Sequence, residues 1–293
     1  MINKHIFLLL LASLVLSFAP LFAKFIDLGA GMITWWRCLI AGIVLGCFLV
    51  WKKQIRLPEG YLPWMLVSGA LLGIHWWLFF LSIQKSSVSI GVLMLFTFPL
   101  LSALIEPITH KVPTSLRQVL GGVGIVAGVY LLVPDFSLEN STTSGVLIGL
   151  LGALLYAVRN IVTKNHLSEI RTMTTLFYQL LFAFLALCIA LAITLEPFVL
   201  PTTKQLSQIL ILSVLFTIGG HGLMTYCLKL FSASTVGIVS SLQVAFSTIL
   251  AFVLLSEVPA NQFYYGAVII VSIAIYELLP RHQQSKPSGT DLR

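Results

Sequence analysis

Two histidines stand inside apolar runs of this sequence. His75 lies in Gly73-Ile74-His75-Trp76-Trp77-Leu78-Phe79-Phe80, and His221 lies in Gly219-Gly220-His221-Gly222. Imidazole titrates near neutral pH, so such a pair can carry protons or hold an anionic group. The plainer role is a hydrogen bond that fixes a neighbouring helix. Trp76 and Trp77 can wall a cavity for an aromatic or apolar solute, or face lipid. Thr97, Tyr156, Asn160, Ser241 and Gln243 are further polar groups within apolar stretches, and Thr225 lies one helical turn past His221, on its face. These residues, with the two histidines and the two tryptophans, form the expected substrate-binding set. His75 and His221 are the coupling candidates. The sequence has no Gly-rich phosphate loop, no metal-ligand spacing and no nucleophile elbow, so no metal, cofactor or enzymatic activity is expected.

The elements that must position these groups follow from composition. Apolar residues make up 58% of the 293 residues and charged residues only 9%, too few to cover a globule in water. The net charge of +7 does not point to nucleic acid, because the Lys and Arg residues form no dense patch with interleaved aromatics. Cys38, Cys47, Cys188 and Cys227 all sit in apolar runs and read as packing residues, not a disulfide framework. An all-α polytopic membrane protein is the remaining class. About 20 apolar residues are needed per crossing, and charges punctuate the chain at nearly that interval. Ten spans are expected, at 5–23, 31–51, 62–83, 87–108, 116–133, 144–164, 173–195, 206–228, 232–256 and 261–279. The first is a span and not a signal peptide, because the apolar run is too long and Leu21-Phe22-Ala23 is a poor cleavage site. The segment 281–293 is polar and expected to be disordered.

Basic residues set the orientation. With the N-terminus in the cytoplasm, inside segments hold Lys4, Lys52, Lys53, Arg56, Lys111, Arg117, Lys164, Arg171, Lys229, Arg281, Lys286 and Arg293, and outside loops hold only Lys24, Lys85 and Lys204. Both termini are therefore expected in the cytoplasm, in a multi-pass protein of the cell membrane. Arg37 and Arg159 lie within spans, where each costs about 2.5–3.5 kcal/mol if held at the bilayer centre. Arg37, near the outer face, is expected to snorkel. Arg159 with Asn160 is expected at a cavity mouth. Glu106 is expected at the inner interface. Pro99 removes a backbone hydrogen bond and should bend the fourth span. Gly124 and Gly128 in the fifth span should permit close helix packing. The polar groups place spans 1, 3, 4, 6, 8 and 9 around a cavity, with 5 and 10 at the periphery.

The two halves superimpose as sequences. At a shift of 146 residues, Gly73, His75, Ser86 and Gly91 fall on Gly219, His221, Ser232 and Gly237. Five spans per half is an odd number, so the second copy enters the membrane from the opposite side, the arrangement of alternating-access carriers. The expected units are residues 1–137 and 138–280.

The chain at this point resembles a known family. Trp35-Trp36-Arg37-Cys38-Leu39-Ile40-Ala41-Gly42, Leu78-Phe79-Phe80-Leu81-Ser82-Ile83 through Ser86-Ser87-Val88-Ser89, and Phe96-Thr97-Phe98-Pro99-Leu100 carry the likeness in the first half. Ser232-Ala233-Ser234 and Ser247-Thr248 through Ser256-Glu257 carry it in the second. Each half looks like an EamA-type unit of the drug/metabolite transporter superfamily. Gln243-Val244 departs from the Glu-Pro that members often carry, and Glu106-Pro107 from their usual close of the fourth helix. The resemblance implies a carrier of a small organic metabolite, such as an amino acid or amine, working by alternating access and in the direction of export. The expected partners are that solute, membrane lipids and protons as the candidate coupling ion, with no nucleic acid, in a monomer or homodimer. The competing class is a polytopic membrane enzyme or lipid-handling protein, which would cluster acidic, His or Ser residues near one interface.

Overall fold

A computed structural model describes residues 4–110, 116–132, 137, 139–230 and 233–278. It is all helical among these residues. The helices are α1 (Lys4–Phe25), α2 (Ala30–Trp51), α3 (Leu62–Lys85), α4 (Val88–Leu95 with Phe98–His110), α5 (Leu116–Leu132), α6 (Ser141–His166), α7 (Thr172–Thr194), α8 (Thr203–Ile211, Leu212–Gly220 and His221–Leu230), α9 (Ala233–Leu255) and α10 (Asn261–Leu278). Seven are membrane-length and strongly apolar; the shorter apolar stretches are Val119–Leu132, Val239–Leu255 and Asn261–Ile273, in α5, α9 and α10. The segment 281–293 and Ser232 lie outside the described residues, as do the side chains of Glu106 and Thr225.

Local chemistry explains where the helices start. Ser87 caps α4 by accepting from Ile90 N (3.2 Å), and Asn140 caps α6 through Thr142 N (2.8 Å). Thr202 and Gln205 form a reciprocal capping box at α8. Three of the helices are interrupted. Pro20 opens a 3-10 turn at Ala19–Leu21 in α1. In α4 the break falls at Phe96-Thr97, two residues ahead of Pro99, whose missing N–H cannot bond the preceding turn. Thr97 Oγ1 donates to Met94 O (2.7 Å) and closes that turn. The third interruption, a π-helical stretch at Leu212–Gly220, was not foreseen from the sequence.

The bundle is sorted for lipid as solvent. Ile43, Val126, Ile193 and Val268 are exposed, while Ser13, Ser17, Thr34, Arg37, Ser68, His75, Gln179 and Thr217 are buried. In hydrocarbon a polar group must find its partner inside the protein. α3 packs chiefly on α6 and α7, α2 on α7, α1 on α9, and α5 on α10. Gly124 and Gly128 receive Ile273 and Ile270, so the small-residue face of α5 is where α10 docks. On the end carrying Glu196 and Glu257, carboxylates hold helix N-termini: Glu196 accepts from Met32 N (3.3 Å) and Glu257 from Val88 N (3.0 Å). There Lys24 Nζ and Gln84 Nε2 also bond backbone carbonyls between α1 and the end of α3. At the opposite end, Tyr61 donates to Glu169 (3.1 Å), an acceptor that pushes the phenol pKa up, and Trp64 stacks on His166 at 3.5 Å.

Candidate functional site

α2, α3, α6, α7 and α8 bring one polar cluster together in the interior. On α3, His75 is 2% exposed and its Nδ1 lies 2.8 Å from Gly152 O of α6. A carbonyl only accepts, so Nδ1 carries the proton; in the neutral ring Nε2 is then an acceptor. The imidazole stacks on Tyr156, one turn further along α6, at 4.5 Å between centroids. Tyr156 also meets Phe98 edge-on at 5.0 Å, which sets the second segment of α4 against this site.

The neighbouring Trp76 is 3% exposed and lies under Arg37, whose guanidinium carbon is 4.0 Å from the ring centroid. Its other neighbour is His221, at 5.5 Å. Arg37 Nε donates to Thr217 Oγ1 (2.6 Å), and that hydroxyl donates to Leu212 O, five residues back (2.9 Å). The π-helical stretch supplies this acceptor. Arg37 is only 2% exposed, so the expectation that it snorkels is corrected. Hydrogen bonding and the ring below it hold the charge inside, where α8 offers a partner that no single-helix reading contains.

Arg159 of α6 donates to Asn160 Oδ1 (2.9 Å) and to Gln179 Oε1 of α7. Its Nε is buried and has no partner among the described residues. Gln179, 1% exposed, spans three helices by donating also to Ser68 (3.2 Å) and Thr163 (3.3 Å). Arg37 and His221 meet on the ring of Trp76, and His75 and Arg159 on that of Tyr156 (4.5 and 5.9 Å); His75 and Trp76 are consecutive on α3, so the four groups share one region.

Of the expected binding set, His75, Trp76, Tyr156, Asn160 and His221 fall in this cluster. Trp77 is half-buried in the hydrophobic packing beside it. Thr97 is buried at the α4 break. Ser241 is buried and Gln243 half-buried on α9, where neighbouring hydroxyls tie helices together: Ser247 donates to Ser17 O (3.0 Å) and Ser240 to Met224 Sδ (3.7 Å). Arg37, Gln179, Thr217 and Ser68 were not in the set. The cluster draws on α2 and α7, which the polar-residue count had left out of the cavity lining. An Arg and a Gln inside long apolar runs were the available signals. A separate groove of about 680 Å³ between α2 and α7, lined by residues such as Gly42, Gly46, Phe177 and Leu181, is almost wholly apolar.

The EamA-like transporter family model matches residues 3–133 and again 143–276, five helices each time. The chain is 24% identical over 257 residues to an S-adenosylmethionine uptake transporter of Rickettsia prowazekii, covering 83% of this chain and 81% of that protein. It is 25% identical over 216 residues to an uncharacterized transporter of Synechocystis, covering 71% and 64%. One crystal structure shares the fold, with a TM-score of 0.61 at 18% identity over 92% of this chain and 95% of that one.

Proposed function

We propose an alternating-access mechanism for this chain, which belongs to the EamA-like transporter family of the drug/metabolite transporter superfamily. Family membership makes it a multi-pass membrane transporter of a small metabolite. The solute binds at the cluster of Arg37, His75, Trp76, Tyr156, Arg159 and His221. The observation that carries this reading is a five-helix polar cluster holding two arginines in the interior of the bundle. Keeping such groups from water is costly, and a binding site that must release its solute is a physical reason to keep them. The two matched segments, with five crossings each, are read as oppositely oriented repeats that rock about this site, with a boundary near residue 137. An alternating-access cycle is reversible. The resemblance implied export and the rickettsial relatives are named for uptake, so the solute gradient and any coupled ion set the net direction.

Purified protein in liposomes tests the carrier reading. Vesicles preloaded with amino acids, amines or S-adenosylmethionine should accumulate the same labelled solute by counterflow. Folded protein that gives no counterflow with any of them removes the reading.

Protons are the proposed coupling ion, with His75 and His221 as the groups that take them. Arg37 shares the ring of Trp76 with His221, and Arg159 that of Tyr156 with His75. Glutamine at either position keeps a hydrogen bond and removes the ring nitrogen that could take a proton. His75→Gln or His221→Gln should therefore flatten the pH profile of transport while counterflow partly survives. A profile unchanged in both variants assigns the pair to packing.

Both termini are proposed to be cytoplasmic, on the distribution of basic residues. A phosphatase reporter that works only in the periplasm, fused after Arg293, should be inactive. Activity there would reverse the topology.

A further inference from the structure

The two arginines in the cluster have no carboxylate partner among the described residues. The partners of Arg37 and Arg159 are a hydroxyl, two amide oxygens and aromatic rings. Among the described residues no carboxylate is hydrogen-bonded to either guanidinium. The described acidic side chains, Asp27, Glu59, Glu139, Glu169, Glu196 and Glu257, all lie at or beyond helix ends. A buried charge normally pairs with an opposite one, and here one buried N–H, Arg159 Nε, lacks an acceptor among the described residues. The protein thus leaves two positive charges and an unfilled donor in one region. Around them stand flat rings: Trp76 below Arg37, Phe80 at 5.7 Å from the same guanidinium, and Tyr156 between His75 and Phe98.

We propose that Arg37 and Arg159 form the anion-recognition part of the central site, and that the solute is an organic acid whose carboxylate they neutralise while a planar unsaturated group stacks among Trp76, Tyr156 and Phe98. This rests on the cluster being the solute site, as in the preceding subsection, and adds the chemical class. A guanidinium fork matches a carboxylate in two parallel hydrogen bonds, which an ammonium cannot do. Bringing the anion into the site also neutralises charge that would otherwise oppose the change from one access state to the other.

Benzoate and benzamide have the same shape and differ in charge, so they serve as probes for purified full-length protein in detergent. Benzoate at millimolar concentration should raise the melting temperature, and benzamide should raise it less or not at all. Arg37→Gln and Arg159→Gln should each weaken benzoate binding by about tenfold or more, a loss of one charge-assisted contact. Arg37→Lys and Arg159→Lys keep the charge and guard against misfolding; they should retain the preference for benzoate over benzamide at lower affinity. Lys204→Gln, at an exposed position in the first turn of α8, should bind as the wild type does. Benzamide equal to benzoate, no benzoate effect in the wild type, or undiminished binding in both glutamine variants would each overturn the proposal. Because the readout is binding and not transport, intact counterflow with no anion preference would reject the organic-acid class while leaving the carrier reading in place.

Discussion

Replacing Gln179 with leucine should abolish solute binding and lower thermal stability together. The side chain accepts from Arg159 and donates to Ser68 and Thr163, so it joins α3, α6 and α7 at one point. Leucine nearly matches its volume but leaves a buried guanidinium N–H and two hydroxyls to find other partners. An orphaned buried polar group costs about 1–3 kcal/mol, so the total loss should be about 2–4 kcal/mol after local rearrangement. Arg159 would also lose the amide that orients it. Gln179→Glu separates the two effects. It places a carboxylate against Arg159, keeps that hydrogen bond, and supplies a counter-ion, which no described residue gives Arg159 in the native site. Its melting temperature should stay near or above the wild-type value, while affinity for an anionic probe falls by more than about tenfold. Thermal unfolding and benzoate titration on both variants check this. Tight benzoate binding by Gln179→Glu would mean that Arg159 does not serve the anion.

The second large effect is steric. Gly69 and Gly73 let α3 approach α7 backbone to backbone. A Cβ at Gly73 would lie 2.9 Å from Ala183 Cα and O, and one at Gly69 2.8 Å from Gln179 O. Those obstacles are main chain and cannot swing aside. Gly73→Ala should cost about 1–3 kcal/mol, in the range of an overpacked core. Gly73→Leu should push α3 off α7, part His75 and Trp76 from the Gln179 junction, and give no monodisperse protein on size exclusion. Gly42 is the internal control. Nothing lies within 4 Å of a Cβ there, so Gly42→Ala should be neutral or gain up to about 1 kcal/mol of helix propensity. Equal tolerance of leucine at residue 73 and alanine at residue 42 would contradict the close approach of these helices.

The ten apolar spans, the class of protein and the family resemblance were legible in the amino-acid order alone. The reason is that lipid imposes a one-dimensional rule. Each crossing needs about 20 apolar residues with all backbone bonds made internally, and both demands can be counted along the chain. The α4 break was likewise legible at Pro99, because proline acts on its own turn. The histidines and Tyr156 could be nominated one at a time, since a polar group in an apolar run stands out.

What partners those groups take belongs to the tertiary structure. Arg37 sits near a helix end, so the sequence alone favoured snorkelling. Thr217 and Trp76, 180 and 39 residues away in the chain, turn it inward. Thr217 offers its hydroxyl there with its own proton bonded to Leu212 O, within a π-helical stretch that no residue pattern announces. Gln179 gains its place in the site only where three helices meet on it. Composition and periodicity report how one helix meets its surroundings. Which charge faces which ring is decided by the contact of helices distant in sequence, where the low dielectric makes each missing or added partner count most.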